Sequence, residues 1–194
     1  VERVLSYEIN PRVVEAIGRF GGKAKGFPGS KMLKCRKKLV PVEGGEPIDA
    51  GFVGDVTGVD TTQILECIAN NITPVLSPTA CDEEGNFYNC NADIAAAQVA
   101  IALKARRLVF MSDVPGLMRD LNDMTSLIPR VHVAEVEELK RKGIIDAGMI
   151  PKMDSAVEAI RAGVEKVSLV DGRMPHSVML EIFTHAGVGT ELAV

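Results

Sequence analysis

The chain has no tryptophan, and aromatic residues make up 4% of its 194 positions, which leaves few flat rings on which bases can stack. It has no excess of positive charge either. Lys and Arg number 22 against 26 Asp and Glu, so the net charge is −4 and there is no basic field for a phosphate backbone. Nucleic acid is not expected as a partner. Histidine is scarce and scattered, at His132, His176 and His185, and the four cysteines, Cys35, Cys67, Cys81 and Cys90, show no C-x-x-C spacing. That argues against a zinc site or a disulfide scaffold, and for buried reduced thiols in a cytoplasmic protein with no metal centre of its own. The apolar run from Ile94 to Leu103 is too short and too rich in alanine to span a bilayer, so no membrane is expected. No signal-peptide pattern, internal repeat, low-complexity segment or linker is visible.

Apolar residues at 46% and charged residues at 25% are the proportions of an ordinary globular protein, and the length suits one well-buried domain over 1–194. The centre of the pattern is Asn89-Cys90-Asn91-Ala92-Asp93, short polar side chains just ahead of the Ile94 to Leu103 run. That run is apolar on nearly every face, so the spacing predicts a buried helix. Asn and Asp at its start either cap the bare N–H groups of a core helix or frame a site for an anion.

Around this stretch, strand and helix signals alternate. Val4 to Tyr7 reads as a strand, followed by an Asn10-Pro11 helix start and a stop at Gly21-Gly22. Lys23 to Lys38 is basic and glycine-bearing, but G-x-x-x-x-G-K-[ST] is not matched, so turns and hairpin edges are favoured over a phosphate loop. Gly51 to Val56 and Ile72 to Ser77 read as strands, with a helix capped at Asp60-Thr61-Thr62 between them. Leu108 to Met111 has the composition of a core strand, broken sharply by Asp113-Val114-Pro115-Gly116. Val133 to Lys142 predicts a solvated helix with Glu137–Arg141 and Glu138–Lys142 pairs. Pro151 then opens a further helix and sets Lys152 at its positive end, where a cation is disfavoured. Lys152 either escapes into water or meets an anionic ligand. Lys166 to Val170 reads as a strand, Pro175 to Phe183 as a short helix, and Leu192 to Val194 as a last strand. The interleaving predicts an α/β fold, a three-layer α/β/α sandwich around a mainly parallel sheet.

Three loops are expected at the carboxyl end of such a sheet: Asn89 to Asp93, Ser112 to Met118, and Ile144 to Lys152. They offer amides, a carboxylate, helix starts and a lysine, but no histidine and no serine or cysteine with a base. Such a set suits phosphoryl transfer, where the protein positions groups and neutralises charge. It suits a carboxylate acceptor in particular, because an acid with a pKa near ~4.3 is already ionised and needs no general base.

Four motifs occur in order: Tyr88-Asn89-Cys90-Asn91-Ala92-Asp93, Ser112-Asp113-Val114-Pro115-Gly116-Leu117, Asp146-Ala147-Gly148-Met149-Ile150-Pro151-Lys152 and Asp171-Gly172-Arg173-Met174-Pro175-His176. With Gly51 to Thr57 and Gly187-Val188-Gly189-Thr190, they resemble the acetylglutamate kinase branch of the amino acid kinase family, across essentially the whole chain. The resemblance implies transfer of a phosphoryl group from ATP, carried with Mg2+, to the γ-carboxylate of N-acetyl-L-glutamate, the second step of arginine biosynthesis. It implies Lys152 as the lysine that stabilises the moving phosphoryl and Asp93 as the carboxylate that holds the catalytic lysines. Asn89 and, beside it, Asn91 correspond to substrate-binding amides. Asp113, Val114, Pro115, Gly116, Leu117 and Met118, with Ile144, Ile145 and Asp146, correspond to the nucleotide-binding segments.

His176 and Glu191 lie where arginine-inhibited members hold arginine, although Pro175-His176 also reads simply as a helix start. A homodimer, or a hexamer of dimers, is implied for the full-length enzyme. The family's N-terminal glycine loops, second lysine and substrate-gripping arginine are not identifiable, so the expectation is a C-terminal, nucleotide-binding portion that is inactive alone. Kinases of glutamate, aspartate, carbamate or UMP are the neighbouring alternatives. A non-catalytic arginine-sensing or regulatory module is the alternative from another class.

Overall fold

The computed structural model describes residues 1–42, 44–120 and 122–194. They form two compact units, Val1–Ala102 and Leu103–Val194. A single domain over 1–194 stays a proposal beside that division.

The first unit opens with a helical stretch: α1 (Glu2–Val4), a π-helical turn over Leu5–Ile9, and α2 (Asn10–Arg19). This corrects the strand expected at Val4 to Tyr7. Val, Leu and Tyr favour strands only when a partner strand is at hand, and here the Leu5 N–H donates to the Val1 carbonyl at 3.0 Å instead. Pro11 has no N–H to continue the ladder, and the turn ahead of it widens so that Asn10 N–H reaches Leu5 O. Asn10 is not the cap. It lies inside the helix and donates its side-chain N–H to the Val75 carbonyl at 2.8 Å. That contact ties α2 to the parallel pair β1 (Ala24–Phe27) and β4 (Thr73–Leu76).

β2 (Leu33–Val40) and β3 (Ile48–Val59) form a long antiparallel hairpin with irregularities after Lys34 and after Lys37. β5 (Thr79–Cys81) and β6 (Phe87–Asn89) form a short one, and the four strands close in the order β2-β3-β6-β5. Its interior packs Leu33, Cys35, Ala80, Tyr88, Cys90 and Ala95. α3 (Thr62–Ala69) starts where Asp60 accepts the Thr62 N–H at 3.0 Å. The buried helix read from the sequence is α4 (Ala92–Ala102), with Ala95, Ala97 and Ala100 inside. Small side chains let it approach β3 closely.

The second unit is a four-stranded sheet in the order β7 (Arg107–Ser112), β9 (Lys166–Asp171), β10 (Thr190–Ala193), β8 (Arg130–His132). β7 and β9 run parallel from Arg107↔Lys166 to Ser112↔Asp171, so their carboxyl ends finish together. β10 is antiparallel to β9 and parallel to β8. The helices are α5 (Val136–Arg141), α6 (Ile150–Arg161) and α7 (Ser177–Phe183). α6 buries Met153, Ala156 and Ile160, as helical spacing requires, and packs on β9 and β10, whose Val167, Leu169 and Leu192 are fully buried. On α5, Glu138 pairs with Lys142 at 2.5 Å as read, whereas Glu137 pairs with Lys140 rather than Arg141. Lys140 also reaches Asp154 on α6, and this second partner draws it to that side. The mixed α/β class with parallel strand pairs and helices therefore holds within both units.

Candidate nucleotide and phosphoryl-transfer site

In the first unit, Asn89 is the last residue of β6, paired with Thr79 on β5 and Val53 on β3. Pairing on both sides fixes its backbone. The next residue, Cys90, is buried, and burial first, then its neighbours Cys35 and Asp55, push its thiol up to about 12. It is a packing residue, not a nucleophile. Asn91 is the cap of α4: its Oδ1 accepts from the N–H groups of Asp93 at 2.9 Å and Ile94 at 3.1 Å. The side chain of Asn91 is thereby engaged by backbone. Asp93 stands in the first turn of α4, half-buried, where the helix dipole favours its charge.

The second unit carries the other residues. β7 stops at Ser112, whose carbonyl accepts the Gly172 N–H at 2.8 Å, binding it to the turn after β9. Asp113 is exposed just beyond. Gly116 then takes φ +152°, and a Cβ there would lie 2.6 Å from Thr190 Oγ1. Leu117 and Met118 are buried, and the Leu117 carbonyl accepts the Ile128 N–H at 2.8 Å. Val114, Gly116, Leu117 and Met118 share a cavity of about 150 Å³ with Ile144, Asp146 and Met149. Both segments expected around a nucleotide therefore meet in one cavity. Asp113, Pro115 and the buried Ile145 are not among its lining residues.

Asp146 shapes the floor of that segment. Its Oδ1 accepts the Met149 N–H at 2.8 Å and its carbonyl accepts the Ile150 N–H at 3.0 Å, which starts α6. Pro151 occupies the opening turn, as the sequence indicates. Lys152 follows, half-buried, with Nζ 5.0 Å over the ring centroid of Phe110 on β7. A lysine that simply escaped into water would not sit over a buried ring.

Two features were not singled out from the sequence. Arg173 grips Asp171 with both arms of its guanidinium, Nε to Oδ1 at 2.9 Å and Nη2 to Oδ2 at 2.8 Å, which holds the Asp171 carboxyl below the usual carboxylate range. Thr190 links the nucleotide loop to the segment before β8, and its only sequence signal was membership of the Gly187 to Thr190 motif. His176 is exposed, in a left-handed conformation (φ +61°) ahead of α7. Glu191 lies on β10 and lines a different cavity of about 610 Å³, with Arg107, Arg130, Lys166 and Glu181. His176 is not among that cavity's lining residues.

Parallel strands whose carboxyl ends finish together, a glycine-bearing loop after one of them and a lysine in the first turn of a helix are features of a phosphoryl-transferring class. The chain belongs to the amino acid kinase family, whose model matches residues 1–171. Within that family it is 42% identical over 195 residues to the acetylglutamate kinase of Archaeoglobus fulgidus, covering 98% of this chain and 67% of that protein. It is 44% identical over 197 residues to the acetylglutamate kinase of Carboxydothermus hydrogenoformans, covering 99% and 67%. In fold it resembles N-acetylglutamate synthase from Neisseria gonorrhoeae complexed with coenzyme A and N-acetyl-glutamate. That match has a TM-score of 0.81 at 23% identity and covers 96% of this chain and 41% of that one. The chain spans about two thirds of the length of the curated relatives it matches.

Proposed function

We propose that this chain carries the nucleotide-binding part of a kinase that phosphorylates the γ-carboxylate of N-acetyl-L-glutamate in arginine biosynthesis. The observation that carries the reading is the meeting of Gly116 to Met118 with Ile144, Asp146 and Met149 in one cavity, at the start of the helix whose first turn holds Lys152. The names of the relatives supply the substrate. The activity is assigned to the protein at its relatives' full length.

In the proposed step an ionised carboxylate oxygen of the substrate forms a bond to the γ-phosphorus of ATP, the bond from that phosphorus to the bridging oxygen breaks, and ADP leaves. No proton has to move. Lys152 offsets the charge on the transferring phosphoryl, and the start of α6 adds its positive end. Magnesium, brought on the ATP phosphates, would neutralise further charge there. Asp113 to Met118 and Ile144 to Asp146 hold the nucleotide, with the backbone of Gly116 and Leu117 kept in place through Thr190. Asn89 binds the substrate, with Asn91 beside it shaping the start of α4. Asp93 orients the catalytic lysines rather than acting as a base.

The test is acyl phosphate trapping. With hydroxylamine present, the full-length enzyme should convert ATP and N-acetyl-L-glutamate to ADP and a hydroxamate. Hydroxamate or ADP formed instead with glutamate, aspartate, carbamate or UMP would replace this reading by one of its family neighbours. A regulatory reading rests on the 610 Å³ cavity, where Glu191 and Glu181 offer carboxylates. There we place arginine as a feedback inhibitor, with His176 reaching the site only if its turn moves.

A further inference from the structure

Lys152 is at a place that a cation should avoid. It is in the first turn of α6, where the helix dipole is positive, and among the described residues no side chain caps that start. Its four-carbon stem is long enough to carry the ammonium to solvent, at little cost in energy. Instead the side chain is half-buried, and Nζ lies 5.0 Å above the ring of Phe110. That ring is 3% exposed and fixed within β7, two residues before Ser112, where the nucleotide loop departs. An aromatic face carries negative charge density and attracts an ammonium held within about 6 Å of its centroid. A leucine there would be apolar but smaller, and would offer no such attraction.

We propose that Phe110 is a positioning residue for Lys152: its ring face holds the lysine ammonium at the carboxyl end of β7, ready for the phosphoryl group. The inference rests on the reading of Lys152 as the stabiliser of the moving phosphoryl. The ring does not touch substrate. Its effect is to hold a flexible cation in place before reaction, so that little reorganisation is needed in the transition state. Removing it therefore lowers kcat and leaves the KM values for both substrates unchanged. A cation–π contact accounts for about a 3- to 30-fold effect.

Two measurements test this. On the 194-residue chain itself, the Lys152 ε-methylene protons should resonate upfield of those of exposed lysines, through the ring current of Phe110, and lose that displacement in Phe110→Leu. An undisplaced signal in the unsubstituted chain overturns the pairing, whatever the enzyme does. In the full-length kinase, Phe110→Leu should lower kcat by the factor given, and stepwise fluorination of the position-110 ring should lower it in steps at nearly constant shape. Full kcat in Phe110→Leu overturns the positioning role. So does a fluorinated series with undiminished kcat, which would make Phe110 a packing residue. Failure of the Lys152 reading looks different, since Lys152→Ala would then keep full activity.

Discussion

The hydroxyl of Thr190 receives the Leu117 backbone N–H at 2.8 Å and donates to the Ile128 carbonyl at 2.7 Å. One side chain thus adds a second tie between two segments already joined by the Ile128 N–H on the Leu117 carbonyl, and Thr190 itself is fully buried. Thr190→Val keeps the shape and removes both bonds, leaving a buried donor and a buried acceptor unpaired. The expected loss is about 1–3 kcal/mol of stability, together with weaker nucleotide binding. Urea unfolding and Mg-ATP titration calorimetry of the chain measure the two effects. Gly116→Ala should do the same by another route, because its Cβ would force Thr190 aside.

Lys152 and Asn89 are assigned different parts of the reaction, so their variants should separate. Lys152→Ala should lower kcat of the full-length enzyme on the order of 10²–10³-fold with little change in KM, as expected when charge stabilisation is lost in the transition state. Asn89→Ala should chiefly raise the KM for N-acetyl-L-glutamate. Steady-state kinetics with each substrate varied decides between them, and an exchange of the two patterns would reverse the roles.

Much of this arrangement was legible where the signal is local. The polar start and apolar body of α4, the break after β7 and the proline that opens α6 each rest on residues within a few positions of one another. The helical turns over residues 2–9, ahead of the α2 that Asn10-Pro11 marks, were not. Val4, Leu5 and Tyr7 suit either structure, and the missing strand partner decides. Thr190 meets Leu117 across 73 residues, and Phe110 lies 42 positions before Lys152, so only the folded register of β7, β9 and β10 could bring them together. The same register sets Glu191 beside Lys166, where the sequence offered it as a ligand for arginine.

Asn91 serves α4 as a cap, and that part of its role is separable from catalysis. Asn91→Ala leaves the Asp93 and Ile94 N–H groups without their partner and should cost about 1 kcal/mol. Asn91→Asp or Asn91→Ser should recover most of it. Thermal unfolding of the three variants measures the cap. An alanine variant as stable as the parent would show that solvent satisfies those groups equally well.

Arginine is expected to inhibit the full-length enzyme by occupying the cavity that Glu191, Arg130 and Lys166 line. Glu191 is already bonded to both cations, so the incoming guanidinium has to displace one of them. An arginine titration of kinase activity that stays flat through millimolar concentrations removes this reading.

The pairing of Glu191 also fixes how stability should respond to acid. Burial pushes its carboxyl upward, but Lys166 at 2.7 Å and Arg130 at 3.0 Å outweigh that, and the folded-state value falls below the ordinary 4.5. A lowered carboxylate value means that the folded state holds the proton less tightly than the unfolded chain does. The stabilisation is therefore fully present above pH 4.5 and is lost as pH falls through the lowered folded-state value. Glu191→Gln should destabilise the chain at pH 7, and the gap between variant and parent should close on acidification below pH 4.5. Urea unfolding midpoints at pH 7, 5 and 3 follow this, and a gap that stayed constant with pH would mean the carboxylate charge contributes nothing.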